Sequence, residues 1–167
     1  MTLYFSVPLL AVLAMVQSAI LPRFPAAGVH VDLVLLAVVA WGLLKGNPHA
    51  LVWGFFGGAF LDLLSGLPWG SQTIPLVVVA GLAGLGGAGL FGHHFGVPFA
   101  AALVGTWLDY ALSLLLLSVL GRALPPGPFV WQVLLPASLL NTLAMAAVFP
   151  LASLLYRLTH RERLEYG

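Results

Sequence analysis

The chain has 167 residues, a length that suits one domain; 61% of its residues are apolar and only 7% are charged. A soluble domain carries about 25% charged residues to cover its surface, so this composition excludes a water-soluble exterior and indicates a protein immersed in lipid. The formal net charge of +1 excludes the basic stripe that nucleic-acid binding requires, and the absence of cysteine excludes a disulfide or a cysteine-ligated metal.

Apolar runs that are interrupted by Pro, Gly and rare charges predict six helices. Their approximate ranges, in chain order, are 3–21, 31–45, 49–65, 72–90, 97–120 and 130–158. No Lys or Arg precedes the first run, which is about 20 residues long, so we expect a retained helix and not a cleaved signal peptide. The sequence thus predicts an all-α integral membrane protein, a compact bundle of six transmembrane helices in a single domain over residues 1–167.

The second and third predicted helices are short. Each rises only about 21–24 Å, whereas the hydrocarbon core of a bilayer is about 30 Å thick. They are therefore either two full spans or a re-entrant pair. We favour two spans, because residues of the flanking loops can extend each helix.

Basic residues predict the orientation of the bundle, because short loops rich in Lys and Arg stay in the cytoplasm. With six spans, the loop after the second helix and the C-terminal tail share one side, which contains Lys45, Arg157, Arg161 and Arg163. The opposite side contains Arg23 and Arg122. We therefore expect both termini in the cytoplasm.

Small residues are concentrated in the third and fourth helices, where they allow neighbouring backbones to approach closely. Gly54 and Gly58 stand four residues apart and share one face of the third helix. In the fourth helix, most residues from Ala80 to Gly89 are Gly or Ala, and these small residues occupy almost the whole circumference. We predict that the fourth helix is a central helix of the bundle.

Three carboxylates fall in or beside the apolar runs. Asp109 lies near the centre of the fifth helix, where burying a charged side chain in lipid costs at least about 2.5 kcal/mol. Asp109 shares one face of this helix with Thr106 and Ser113, and we expect that face to point into the bundle. Asp109 either contacts a substrate, an ion or a partner, or it is a protonated or hydrogen-bonded carboxylic acid that ties helices together. Asp62 could satisfy backbone groups where the third helix stops, and Asp32 is predicted to cap the second helix.

Other polar and aromatic residues give no sign of catalysis or of a cofactor. The five histidines lie in loops or at helix ends, and the glycines of the fourth helix lack the Lys-Ser/Thr pair of a phosphate loop. We therefore expect a protein that is not an enzyme and holds no cofactor or metal. Trp53, Trp69 and Trp131 are predicted to anchor helix ends at the membrane interface, whereas Trp107 is predicted to pack inside.

The stretch from Asp62 to Gly70, Asp-Leu-Leu-Ser-Gly-Leu-Pro-Trp-Gly, resembles the bacterial rod shape-determining protein MreD. In that family a helix rich in small residues ends in a similar run of Asp, two hydrophobic residues, Ser-Gly, Pro and Gly. The residues that carry the resemblance are Gly54, Gly58, Asp62, Ser65, Gly66, Pro68 and Gly70. The chain length, the Pro-rich loop before Asp32 and the charged tail agree with the family's layout, although the match is specific only over residues 54–70.

The resemblance implies a non-catalytic scaffold of the cell-elongation complex in the bacterial inner membrane, acting on peptidoglycan synthesis and cell shape. MreD proteins act with MreC, a single-span protein with a periplasmic domain, and indirectly with MreB filaments, RodA and the elongation penicillin-binding transpeptidase. The family also looks similar in fold to the S-components of energy-coupling-factor vitamin transporters. From that likeness and from burial, we expect a polar pocket or groove lined by Asp62, Asp109 and Asn141.

Two other functions remain open at this point. The chain could be an S-component-like, substrate-binding subunit of a vitamin transporter, although Ala14 and Ser18 match only loosely the alanine stripe that docks the energising module. An intramembrane aspartyl protease would pair Asp62 with Asp109, but its Tyr-Asp motif is reversed here, as Asp109-Tyr110, and its Gly-x-Gly-Asp motif is missing.

Overall fold

The computed structural model describes residues 2–20, 31–87, 96–122, 127–128 and 130–160. Within these ranges the regular structure is entirely helical, which confirms the predicted class. Six α-helices follow one another in the chain: α1 Thr2–Met15, α2 Leu33–Lys45, α3 Asn47–Ser65, α4 Thr73–Leu85, α5 Val97–Val119 and α6 Leu135–His160. A π-helical segment extends α1 over Val16–Ile20, and another precedes α6 over Val130–Leu134.

By length and hydropathy, two of the described helices could each cross a membrane. They are Val97–Val119 and Val130–Leu158. Shorter apolar helices occur at Val7–Ala19, Leu33–Lys45 and Thr73–Leu85. Length and composition therefore identify fewer spanning helices among the described residues than the six that the sequence predicts.

Glycine and proline set both ends of α3. Gly46, with a φ of +83°, separates α3 from α2, and Pro48 lies in the first turn, where the N–H that proline lacks has no partner within the helix. Gly66 ends the helix in the left-handed conformation, with a φ of +64°, as is common at helix C-termini. These residues define where α3 begins and ends, and the helix is 19 residues long.

The central helix of the bundle is α2. It packs against α1, α3, α4, α5 and α6, and most of its side chains are buried. Its buried residues are Val34, Leu35, Leu36, Val38, Val39, Ala40, Trp41 and Gly42. The fourth helix, which was predicted to be a central helix, packs mainly on α2, α3 and α5; its Leu82 is 52% exposed, so α2 is the more enclosed of the two.

The small residues of α3 and α4 serve a close antiparallel contact instead. A Cβ atom built on Gly54 would lie 2.7 Å from the nearest side chain of α4, and one built on Gly58 would overlap the backbone of Thr73. At the other end of the pair, a Cβ on Gly84 would lie 2.6 Å from the Cα atom of Asn47. The two backbones are therefore in contact along the pair, and only glycine fits at these positions.

An aromatic cluster joins the last part of α2 and the first half of α3 to α6. The rings of Trp41 and Trp53 stack with centroids 4.4 Å apart, and the Tyr156 ring meets Trp41 edge-on at 6.3 Å. The Lys45 Nζ atom lies 5.7 Å from the Trp41 ring and 5.9 Å from the Tyr156 ring, within cation–π distance. Trp53 is only 4% exposed and Trp107 is 41% exposed, so the predicted roles of both are wrong.

The outward faces of α5 and α6 are aliphatic. Their most exposed large side chains are Val104, Val119, Leu139, Leu143 and Leu151. Trp69 and Trp131, each 73% exposed, lie in the α3–α4 turn and in the π-helical segment before α6. Such a surface suits hydrocarbon, with indole rings available near the helix ends.

Candidate functional site: two polar clusters

The first polar cluster is built around Asp62, which is 3% exposed near the end of α3. Its carboxylate accepts hydrogen bonds from the α3–α4 turn and the start of α4: from the N–H groups of Gly70, Gln72 and Thr73 at 2.8, 2.8 and 3.2 Å, and from the hydroxyls of Ser71 and Thr73 at 3.3 and 2.5 Å. A carboxylate in this position satisfies N–H groups that a helix leaves free at its N-terminus. Asp62 therefore caps α4 from across the turn.

The other residues of the family-like motif shape the same turn. Gly66 and Gly70 both have positive φ angles, of +64° and +93°, which side chains other than glycine rarely adopt. The Ser65 hydroxyl donates to the carbonyl of Asp62 at 3.3 Å. The Pro68 carbonyl accepts an N–H and a hydroxyl from the residue three positions later, at 3.1 and 2.7 Å. The motif is thus an architectural unit that fixes how α3 turns into α4.

The second polar cluster begins where the π-helical segment after α1 meets the start of α2. The Gln17 side chain donates from Nε2 to Asp32 Oδ1 and accepts from the Val34 N–H, both at 3.0 Å. Asp32 Oδ1 also accepts from the Leu35 N–H at 3.0 Å, which confirms the predicted cap of this helix. π-helical segments are rare and often found at functional positions, and here one contains Gln17.

Asn141 extends this cluster to α5 and α6. It is fully buried; its Oδ1 atom accepts the Asp32 N–H at 2.8 Å, and its Nδ2 atom donates to the Thr106 hydroxyl at 3.0 Å. The Thr106 hydroxyl in turn donates to the carbonyl of Ala102 at 2.8 Å. One amide side chain therefore joins α2, α5 and α6 in the bundle interior.

Asp109 adjoins the second cluster on the buried face of α5 that also carries Thr106. Its side chain is 6% exposed and lies within electrostatic range of the Asp32 carboxylate. Among the residues that the structure describes, no hydrogen bond or ion pair reaches the Asp109 carboxylate. One turn further along α5, the Ser113 hydroxyl donates to the Ser71 carbonyl at 3.4 Å, so Asp109 lies between the two clusters.

The three residues that were predicted to line one pocket have different partners in the structure. Asp62, Asp109 and Asn141 are all buried, but the carboxylate of Asp62 is committed to the α3–α4 turn. A cavity of about 270 Å³ lies elsewhere, between α2, α4 and α5. Its walls are apolar and include Val39, Val79, Ala83, Ala101, Gly105 and Leu108. None of the three residues lines this cavity, and the polar pocket that they were predicted to form stays a prediction.

Sequence reasoning missed the link between Gln17, Asp32 and Asn141. Their positions along the helices could have indicated this link. When successive helices alternate in direction, the end of the first helix, the start of the second and the first part of the sixth lie toward the same side of the bundle. The prediction for Asp109 and Thr106 relied on helical periodicity within one helix, which says nothing about neighbouring helices. His93 and His94, two of the five histidines that were predicted to lie in loops or at helix ends, fall outside the described residues.

The chemistry of the two clusters is that of oxygen acceptors. No group of three or more His, Cys, Asp or Glu side chains occurs among the described residues in a position to hold a metal ion. Both oxygens of Asp62 already accept hydrogen bonds, an arrangement unlike that of a catalytic pair with Asp109. Comparisons of the chain with protein-family models, with curated proteins and with solved structures give no match.

Proposed function

We propose that this chain is an MreD-like, non-catalytic scaffold in the inner membrane of a bacterium. It forms a bundle of six spans with both termini in the cytoplasm and binds the membrane helix of MreC. Through MreC it acts with MreB, RodA and the elongation penicillin-binding transpeptidase on peptidoglycan synthesis and cell shape. The support is the resemblance of the stretch from Asp62 to Gly70, in which the motif residues Asp62, Ser65, Gly66, Pro68 and Gly70 each have a defined part in the α3–α4 turn.

The observation that carries the proposal is the apolar cavity between α2, α4 and α5. Leu82 and Val104 line it and are 52% and 61% exposed, so it opens on the outside of the bundle as a groove. Small residues, Ala83, Ala101 and Gly105, line it too and would allow a further helix to approach closely. The apolar walls offer no hydrogen-bond partner to a polar vitamin, which favours an apolar helix as the occupant.

Six spans are part of the proposal because of how the shorter helices are placed. The 13-residue α2 is enclosed by its neighbours, so its length does not need to match the bilayer. The helices α3 and α4 are antiparallel and joined by a short turn, as a pair that crosses and returns would be.

The test is a pull-down from detergent-solubilised native membranes with a tag on the C-terminal tail, followed by mass spectrometry. Ala101→Phe fills the groove, whereas Leu103→Phe places the same ring on a position of α5 that is 40% exposed and outside the groove. We expect the wild-type and L103F proteins to recover a single-span periplasmic partner with wall-synthesis enzymes. Recovery by A101F should fall about tenfold, the effect of roughly 1.4 kcal/mol in binding free energy. Equal recovery by both variants would refute the groove as the binding site.

The alternative function, a substrate-binding subunit of a vitamin transporter, is favoured by the second polar cluster, in which Asn141 and Thr106 are buried. In the same experiment it would bring down ATP-binding subunits and a small transmembrane coupling protein. Recovery of those proteins, without a single-span periplasmic partner, would replace the scaffold proposal.

A further inference from the structure

The buried carboxylate of Asp109 has no compensating positive charge among the described residues. Its side chain is only 6% exposed, and burying an ionised carboxylate without a partner carries a large free-energy cost. The cationic side chains of the described ranges lie elsewhere: Lys45 stands over the aromatic cluster, and Arg122 and Arg157 are exposed at the ends of α5 and α6. Either a proton on the carboxylate or a cation that the described residues do not supply must offset this cost.

Oxygen atoms with free acceptor capacity occur in the second polar cluster, which Asp109 adjoins. Asp32 Oδ1 accepts two hydrogen bonds, but no described donor reaches Asp32 Oδ2. The Asn141 carbonyl oxygen accepts a single bond, from Asp32 N–H, and a carbonyl can accept two. The hydroxyl oxygen of Thr106 lies 3.0 Å from Asn141 Nδ2, so these acceptors belong to one compact group.

We propose that Asp109, Asp32, Asn141 and Thr106 form a binding site for one alkali cation, with sodium as the reference ion. Hard cations bind carboxylate, carbonyl and hydroxyl oxygens, which are the groups present. The charge of Asp32 is already balanced in part by the N-terminus of α2 and by Gln17, so one positive charge suffices for Asp109. Hydrogen bonds of 2.8 to 3.0 Å hold the group together, which suits a single ion better than an organic ligand.

The site would lock α2, α5 and α6 together at one end of the bundle, next to the π-helical segment that contains Gln17. It is distinct from the apolar groove, and it goes beyond the scaffold function without depending on it. A cation there would stabilise the bundle whether the partner is MreC or another protein.

The test is the thermal stability of the purified full chain in detergent, followed by tryptophan fluorescence, in sodium chloride against choline chloride of equal concentration. For sodium at about 100 times its Kd, we expect the wild-type Tm to rise by about 5 °C or more over choline. Asp109→Asn should abolish this difference. Ser113→Ala, one turn further along the same face, is the matched control and should keep it. Saturable binding of radioactive sodium to the wild-type protein gives a second measurement that needs no variant.

Three results would overturn the proposal. The first is a wild-type Tm that is equal in sodium, potassium and choline; the second is a sodium response that persists in D109N. The third concerns Arg23, which lies outside the described residues: if its guanidinium balances Asp109, Arg23→Gln lowers the Tm in choline and the wild-type protein shows neither a sodium response nor sodium binding.

Discussion

Replacing Asp62 by asparagine tests the claim that its carboxylate holds the α3–α4 turn. The side chain keeps its shape, but one of its two acceptor oxygens becomes an NH₂ donor. On Oδ1 the carboxylate accepts from Gln72 N–H and the Ser71 hydroxyl; on Oδ2 it accepts from Gly70 N–H and from both donors of Thr73. The fewest bonds are lost when the new nitrogen takes the place of Oδ1.

The magnitude follows from that orientation. The Ser71 hydroxyl can rotate and accept from the new NH₂ group, but the Gln72 N–H, now 2.8 Å from a donor, loses its partner. A hydrogen bond to a charged group contributes about 1.5–3 kcal/mol, and the bonds that remain lose the assistance of the charge. We therefore expect Asp62→Asn to lower the free energy of unfolding by about 3 kcal/mol. For a chain of this size that corresponds to a decrease in Tm of roughly 6–12 °C.

The matched control is Asp109→Asn, the same chemical change at a position that is also buried on the inner face of its helix. No described residue donates a hydrogen bond to the Asp109 carboxylate, so in sodium-free choline buffer the Tm of D109N should equal or exceed that of the wild-type protein. Both variants are measured in detergent by tryptophan fluorescence, with gel filtration to confirm that each is monodisperse. A Tm for D62N at or above that of D109N would refute the role assigned to Asp62.

Two further pairs of variants test the packing. Gly58→Ala places a methyl group against the backbone of Thr73 and should lower the free energy of unfolding by about 1–3 kcal/mol. Its control is Gly81→Ala, because the nearest atom to a Cβ at Gly81 is 3.4 Å away; in a thermal melt this variant should be as stable as the wild-type protein or more stable. Trp53→Ala should lower the free energy of unfolding by about 3–5 kcal/mol because it removes a buried, stacked ring. Trp69→Ala, at a position that is 73% exposed, should lower it by less than about 0.5 kcal/mol. Equal decreases for both variants in guanidinium titrations would contradict the difference in burial between the two side chains.

Local features of this fold could be predicted from the sequence. The six helices could be predicted because each is an apolar run, and Pro, Gly and charged residues mark where one run ends and the next begins. The cap at Asp32 could be predicted because a carboxylate directly before an apolar run is bonded within its own first turn. The inward direction of Asp109 follows from its cost in lipid, which leaves only one face of the helix available.

Contacts between distant parts of the chain could not be predicted. Asp32 and Asn141 are 109 positions apart, and nothing in either local sequence selects the other. The stack of Trp41 on Trp53 was missed because an indole near a helix end is equally suited to a membrane interface and to a buried contact. The central place of α2 was missed for a related reason: in a membrane protein, side chains that face lipid and side chains that face the core are equally apolar.

The enclosure of α2 has a consequence for how such a bundle meets bilayers of different thickness. Hydrophobic mismatch acts on helices in contact with lipid, which tilt or deform the bilayer around them. The helices α5 and α6 present their aliphatic faces outward and bear that adjustment. The 13-residue α2 packs against five other helices, so in the proposed membrane bundle we expect a change of bilayer thickness to act on α5 and α6 and not on α2. The inner geometry of the protein is in this way insulated from the lipid composition around it.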